Sequence, residues 1–175
     1  AKDVLFKAAE MDNRYVIWEL NFQGFDLNAT DDEGKTAVYY ANENKSTNAL
    51  CELINCEANF ELNDIDDDCA KDVLFKAAEM DNRYVIWELN FQGFDLNATD
   101  DEGKTAVYYA NENKSTNALC ELINCEANFK LDEIDDDCAK DVLFKAAELD
   151  NHRVIWRLNF EGFDLNATDD EGKSA

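Results

Sequence analysis

The acidic run that begins at Asp64 is the strongest candidate for metal chemistry. Asp64, Asp66 and Asp68 have the alternating spacing with which a calcium-binding loop opens. That loop also needs Gly at its sixth position and Glu at its twelfth, and the chain has Cys69 and Phe75 there. An EF-hand is therefore excluded. We predict a solvated acidic turn and no metal site, with weak, nonspecific cation binding as the alternative.

A second candidate is Gly34-Lys35-Thr36, which has the residue types that end a phosphate-binding loop. The earlier glycine of that motif is replaced by Ala29, and the surrounding sequence is strongly acidic. We therefore reject a nucleotide site. Catalytic constellations are also missing, because His152 is the only histidine and has no Ser-His-Asp or Cys-His arrangement around it. The sequence predicts neither an enzyme nor a cofactor.

Cysteine chemistry is the remaining possibility. Cys51 and Cys56 are five residues apart on a predicted helix, so their side chains point in different directions and a disulfide between them is not expected. No histidine is near enough to complete a zinc site. We interpret the cysteines as reduced thiols that serve as small apolar residues, which predicts an intracellular, cytoplasmic setting. Cys69 and its counterpart Cys138 follow acidic runs and are expected to be exposed.

Charge excludes further classes of function. The 175 residues include 40 Asp or Glu and 16 Lys or Arg, which gives a net charge of −24 and a pI of about 4.1. Such a chain repels nucleic acid and anionic membranes. With 46% hydrophobic residues it is nevertheless too apolar for a disordered acidic tail. It has no apolar run long enough to span a membrane and no signal-peptide pattern.

The elements that must position these residues are repeats. Residues 70–138 copy residues 1–69 except at three positions, where Glu61, Asn63 and Asp64 become Lys130, Asp132 and Glu133. A third copy begins at Ala139 and is incomplete, so we expect an excerpt of a longer array, processed or cut, without an initiator Met. Each copy divides in two, which predicts one array with units at 1–34, 35–69, 70–103, 104–138 and 139–175, the last followed by the truncated start of a sixth.

Each unit has the pattern of two short helices and a turn. Leu5, Ala8 and Ala9 share one helical face, and a second helical period follows from Tyr15 to Phe22. Gly24 stands where a left-handed helix end is expected. The polar segment 28–35 has the composition of a hairpin turn. Neither helix can bury its apolar stripe alone, so stacking of units must form the core.

These residues resemble the ankyrin repeat. The match includes Leu5, Ala8, Ala9, Val16, Ile17, Leu20 and the specific run from Gly24 to Asp31, and it extends over the whole chain. The resemblance implies an all-α solenoid of stacked helix-turn-helix units joined by β-hairpin-like loops. The even-numbered units depart from it, with Lys45 and Glu57 where glycines are usual and three extra residues in the acidic turn. We therefore expect irregular hairpins in units two and four.

The resemblance also implies a non-enzymatic scaffold that binds protein through its hairpin tips and the concave face of its first helices. Most residues at those positions are acidic, which predicts a partner with a basic surface. Carried onto this sequence, the positions are Asp32, Glu33, Lys35, Glu43 and Asn44 in unit two; Asp68, Cys69, Lys71, Glu79 and Met80 in unit three; and Asp101, Glu102, Lys104, Glu112 and Asn113 in unit four.

Aromatic residues on the second helices depart from the family pattern. One interpretation is a rotated helix whose aromatic side chains complete the core. The other is an exposed aromatic ridge used for self-association or for a partner. Its members are Tyr15, Trp18, Phe22, Tyr84, Trp87, Phe91, Trp156 and Phe160.

The near-identity of the copies leaves a second function open. Identical copies offer the same groups every 69 residues, which suits a structural or self-assembling spacer that associates end to end or through the ridge. An artificial concatenation of one double repeat is the third reading. The abundance of Asn and Cys argues mildly against an idealised design.

Overall fold

The computed structural model describes residues 2–169 and 171–175. Contacts between residues divide the chain into two compact units, Ala1–Lys76 with Glu88–Phe94 and Ala77–Trp87 with Asp95–Ala175. The described residues contain helices and no extended strand; the single β-bridge joins Thr168 to Ser174. The prediction of an all-helical fold built from helix-turn-helix units is confirmed.

The first unit contains two complete helix pairs. The helices are α1 (Lys2–Glu10), α2 (Arg14–Phe22), α3 (Ala37–Glu43) and α4 (Thr47–Asn55), and a 3-10 turn follows at Leu62–Asp64. Within each pair the helices contact each other, and the pairs stack because α1 lies against α3 and α2 against α4. The 3-10 turn contacts α3.

The second compact unit, which is distinct from repeat unit two, has the same arrangement of helix pairs. The helices α5 (Asp67–Glu79) and α6 (Arg83–Phe91) contribute residues to both units. They are followed by α7 (Ala106–Glu112), α8 (Thr116–Asn124), a second 3-10 turn (Leu131–Glu133), α9 (Asp136–Glu148) and α10 (His152–Phe160). In this unit α8 packs against α7, α9 and α10, and the 3-10 turn lies beside α7.

The cores consist of small and branched apolar residues, as the periodicity predicts. Leu5 and Ala9 on α1 are fully buried, and Ile17 on α2 and Leu50 on α4 are buried with them. Alanines at the positions between larger side chains let the helix axes approach closely, so that the leucine and isoleucine side chains fill the space between pairs. Burial of each such side chain is worth about 1.5–3 kcal/mol, which makes neighbour stacking the main source of stability.

A carboxylate fastens one helix pair to the next. Asp12, in the turn after α1, accepts hydrogen bonds from the Ala49 backbone N–H at 2.8 Å and from the Asn48 side-chain amide at 2.6 Å. Both donors lie in the first turn of α4, whose free N–H groups have no partner within the helix. In the second unit Asp81 makes the same contacts to Ala118 and Asn117 on α8, at 2.8 and 2.6 Å.

The left-handed turn after the second helix is kept in the even-numbered units despite the loss of glycine. Gly24 has φ +78°, as predicted, and Glu57 has φ +59°. The hydrogen bonds also correspond: Gly24 N–H donates to Asn21 at 2.9 Å, and Glu57 N–H donates to Ile54 at 3.0 Å. The irregularity of units two and four therefore lies in the inserted 3-10 turn and not in the helix end, where local hydrogen bonds hold the glutamate in an unfavourable backbone region.

Replacing Asp81 by Ala should remove the connection between helix pairs. We expect the free energy of unfolding to fall by about 1–2 kcal/mol more than for Asp150→Ala, because the hydrogen bonds from the Ala118 backbone N–H and from the Asn117 side-chain amide are lost. Asp150 is a matched control, since its φ is +53° against +57° for Asp81. Its side chain accepts no hydrogen bond within the described part of the chain. Guanidinium unfolding of the two variants measures the difference, and equal losses would contradict the capping role.

Substitutions at Glu57 and at Gly24, which follow the ends of α4 and α2, should have opposite effects on stability. Glu57→Gly is expected to stabilise the protein by about 0.5–1 kcal/mol, because glycine adopts positive φ without the steric cost. Gly24→Ala is expected to destabilise it by a similar amount. An added Cβ at Gly24 meets no atom within 4 Å, so the backbone cost alone is measured. Thermal unfolding that shifts in the same direction for both variants would contradict this account.

Candidate protein-binding site

The tip of each long loop is closed by one aspartate. The carboxylate of Asp31 accepts hydrogen bonds from the backbone N–H groups of Glu33 and Lys35, each at 2.8 Å, and from the Tyr40 hydroxyl at 2.5 Å. The Asp31 N–H in turn donates to the Lys35 carbonyl at 3.0 Å, which gives the loop the hairpin-like closure that the resemblance implies. Asp100 repeats this arrangement with Tyr109, whose hydroxyl lies 2.6 Å from the carboxylate.

The same hydrogen bonds set the ionisation of these groups. The Tyr40 hydroxyl, and after it the loop N–H groups, hold the pKa of Asp31 below its usual value. The bond to Asp100 raises the pKa of Tyr109 to about 12. Asp31 and Asp100 are therefore charged and structural at neutral pH, and they hold the neighbouring tip residues at the surface.

The predicted lysines do not cancel the acidity of the tips. Lys35 Nζ lies 2.7 Å from a Glu33 carboxylate oxygen and 4.9 Å from the centre of the Tyr39 ring. The Glu33 partner raises the pKa of Lys35 to about 12, so the lysine stays charged. Lys104 makes the same pair with Glu102, at 2.6 Å, above Tyr108. Each tip lysine is thus held by its own loop, and the remaining carboxylates give the tip its charge.

The other residues predicted in units two and four lie at the surface. Asp32, Glu43, Asp101 and Glu112 are exposed. Asn44 and Asn113 are exposed as well, and their side-chain amides donate to the carbonyls of Tyr40 and Tyr109, at 2.8 and 2.9 Å. These two asparagines close helix ends, so they are less available to a partner than the carboxylates.

In unit three the prediction is wrong for the cysteine. Cys69 is 3% exposed and its Sγ lies 3.9 Å from the Asn42 carbonyl oxygen. Cys138 is equally buried. The acidic run begins a helix, α5 or α9, and the third residue of that helix faces inward. Burial raises the pKa of both thiols, so neither is a reactive surface group.

The remaining unit-three residues are distributed unevenly. Asp68 is exposed and lies 3.6 Å from Lys71 Nζ, one helical turn further along α5. Lys71, Glu79 and Met80 are half-buried. Of this group, Asp68 is therefore the residue that the fold presents most openly.

Sequence reasoning missed the residues of a groove in the second compact unit. The groove has a volume of about 380 Å³ and lies between the loop before α7, the exposed face of α7 and the second 3-10 turn. Tyr108 and the carboxylates of Asp132 and Asp135 line it together with the predicted Lys104 and Glu112. The available signal was Asp132 itself, one of the few positions at which the copies differ.

The aromatic residues of the second helices lie outside the core. Tyr15 is 73% exposed and Phe22 is 74% exposed, while Trp18 stacks on Phe22 with ring centres 5.4 Å apart. The interpretation that these side chains complete the core is therefore wrong. A similar stack joins Trp156 to Phe160 in the second unit, at 5.2 Å. Trp87 and Phe91 are also exposed, and Tyr84, half-buried, has its ring centre 5.9 Å from that of Trp87.

Other site chemistries find no support in the described residues. Residues 2–169 and 171–175 contain no group of three or more His, Cys, Asp or Glu side chains placed to hold a metal ion. None of the helices described there is long and apolar enough to cross a bilayer. All six cysteines are unpaired thiols, and burial raises the pKa of Cys51 to about 12.

A family model matches the repeated part of the chain. Residues 5–100, more than half of the chain, match the family model of ankyrin repeats in three copies. Solved structures similar to the chain include an ankyrin repeat domain from Acinetobacter baumannii, at 22% identity and a TM-score of 0.43, which covers 97% of this chain and 86% of that one. The human ASB11 ankyrin repeat domain is similar at 13% identity and a TM-score of 0.36, covering 97% and 88%. No curated protein matches. Because the ankyrin family model matches more than half of its length, this chain of repeated helix pairs belongs to the ankyrin repeat family.

Proposed function

We propose that this ankyrin array is a non-enzymatic scaffold that binds basic protein partners through its acidic loop tips and the adjoining faces of the first helices. Ankyrin repeats are in general protein–protein interaction modules and are generally not enzymes. The observation that supports the acidic face is the closure of each tip by Asp31 or Asp100, which leaves Asp32 and Asp101 exposed and pairs each lysine within its own loop. We place the protein in the cytoplasm, since its cysteines are unpaired.

Repetition strengthens the proposal. Each exposed carboxylate contributes little alone, because exposed ion pairs are worth about 0–1 kcal/mol. A partner with several basic groups meets the same arrangement again in the next copy, and a second contact then forms at high effective concentration. We therefore expect extended or multivalent basic partners to bind better than a single basic side chain.

The acidic tips should make binding depend on salt and on specific carboxylates. The probe is a lysine-rich peptide, and its affinity is measured by calorimetry at low and physiological ionic strength. We expect the double variant Asp32→Asn with Asp101→Asn to weaken binding about threefold or more. The matched control, Glu57→Gln with Glu161→Gln, changes the net charge equally away from the tips and should have a smaller effect. Equal losses in both, or affinity unchanged by salt, would contradict the acidic-tip site.

A second candidate function, self-association, is supported by the exposed aromatic stacks. Trp18 with Phe22 and Trp156 with Phe160 present large apolar surfaces outside the core. The third copy keeps this stack although Arg153 and Arg157 replace the first copy's Tyr15 and Glu19. Arg157 donates to the Ala127 carbonyl at 3.2 Å, so the arginine is directed away from the aromatic pair. We infer that the ridge contacts a second copy of the chain.

Self-association through the ridge should depend on salt in the opposite direction to the binding of a basic peptide. Two chains of charge −24 repel, so their association should strengthen as salt rises. We expect sedimentation velocity to show dimers at high concentration that Phe22→Ser with Phe160→Ser abolishes. Met11→Gln is the control, because Met11 is 67% exposed and lies outside the ridge. A monomer under all conditions excludes self-association, and dimers that persist in the double variant, or that Met11→Gln alone abolishes, exclude the ridge.

A further inference from the structure

The groove beside α7 combines an aromatic surface with several carboxylates. It has a volume of about 380 Å³. Tyr108, 37% exposed, contributes its ring, and the opposite wall is the second 3-10 turn. The carboxylates that line it belong to Glu112, Asp132, Glu133 and Asp135. It is called the second groove below, because it lies in the second copy.

Internal contacts fix the walls and leave three carboxylates available. The buried side chain of Asn111 accepts the Asp135 N–H at 2.9 Å, which ties the wall to α7. Glu133 accepts the Lys130 N–H at 2.9 Å and so closes the 3-10 turn. Glu112, Asp132 and Asp135 are exposed, and no ion pair joins them to a lysine or arginine of residues 2–169 and 171–175.

The second groove already holds one cation at its edge. Lys104 Nζ lies 4.9 Å from the centre of the Tyr108 ring, a distance typical of a cation–π contact. Its ion-pair partner is Glu102 in the same loop, at 2.6 Å, and not a carboxylate of the opposite wall. The aromatic surface and the facing carboxylates together therefore suit a second cation from outside.

The differences between the copies fall on this wall. Of 69 positions, the first two copies differ at three, and all three lie in the 3-10 turn or at the residue that precedes it. The first copy has Asn63 where the second has Asp132. The residues that shape the surface, Tyr39 and Asn42 in the first copy, are unchanged in the second. Asp132 adds a carboxylate to the lining of the second groove, and Lys130, which replaces Glu61, is not among the residues that line it.

We propose that the second groove docks a lysine or arginine side chain of an extended basic segment, and that it does so more strongly than the equivalent surface of the first copy. This inference rests on the proposed function and names the site within it. Asp132 and Glu112 bind the cationic head, and Tyr108 packs against the aliphatic stem or the guanidinium plane. The neutral Asn63 gives the first copy the weaker site.

The two copies supply matched variants, because Asn is native at position 63 in the first copy and Asp at the equivalent position 132 in the second. The probe is a fluorescein-labelled peptide of alternating glycine and arginine, titrated with the full chain and followed by anisotropy. Asp132→Asn should weaken binding about two- to fivefold, and Asn63→Asp should strengthen it by a similar factor. Glu57→Gln removes one charge elsewhere and should change the affinity less. Unfolding midpoints close to that of the unchanged protein verify that each variant folds.

The outcomes separate this site from the general function. If the peptide binds the unchanged chain but Asp132→Asn and Asn63→Asp change its affinity no more than Glu57→Gln does, the second groove is not the docking site and the acidic scaffold still stands. If neither this peptide nor the lysine-rich peptide binds at low salt, the proposed function itself is overturned. Opposite shifts for the two exchanges support the groove.

Discussion

The structure depends on a carboxylate that joins neighbouring helix pairs. Asp12 and Asp81 bind the first turn of α4 and α8, where the helix dipole and the free N–H groups favour a negative charge. Apolar stacking supplies most of the free energy, but it is not directional, and helices could slide against each other while keeping their contacts. The aspartate fixes the position of one pair on the next. Both aspartates have a left-handed backbone, which aspartate tolerates better than most residues.

The acidic surface follows from that fixed stacking. Because each pair is held in a defined position, the loop between pairs starts and ends at defined points and can be closed by a single side chain. Asp31 closes it by binding the loop N–H groups and the Tyr40 hydroxyl of the following helix. Some aspartates of this chain thus accept hydrogen bonds that stabilise the fold, and others contribute charge to the surface. The net charge of −24 alone does not separate the two roles.

Near-identical copies also make the few differences informative. Substitutions scattered over both copies would indicate drift on exposed positions. Between the first two copies they are confined to the segment Glu61–Asp64 and its counterpart Lys130–Glu133, and the second of these lies beside the groove. The charge of this short turn can change while the stacked helices behind it stay the same, since their packing does not depend on it.

The sequence by itself determined the helix pairs, the small apolar face with Leu5 and Ala9, the left-handed end at Gly24 and the family. These follow from periodicity and backbone preference, which act over a few residues and can be read locally. The tertiary structure decided which face of each helix is covered. It exposed Phe22 and Trp18, buried Cys69 and formed a groove around Tyr108. Cys69 lies against Asn42, and Tyr108 and Asp132 line one groove, although the members of each pair are more than ten positions apart along the chain. No local pattern could specify such contacts.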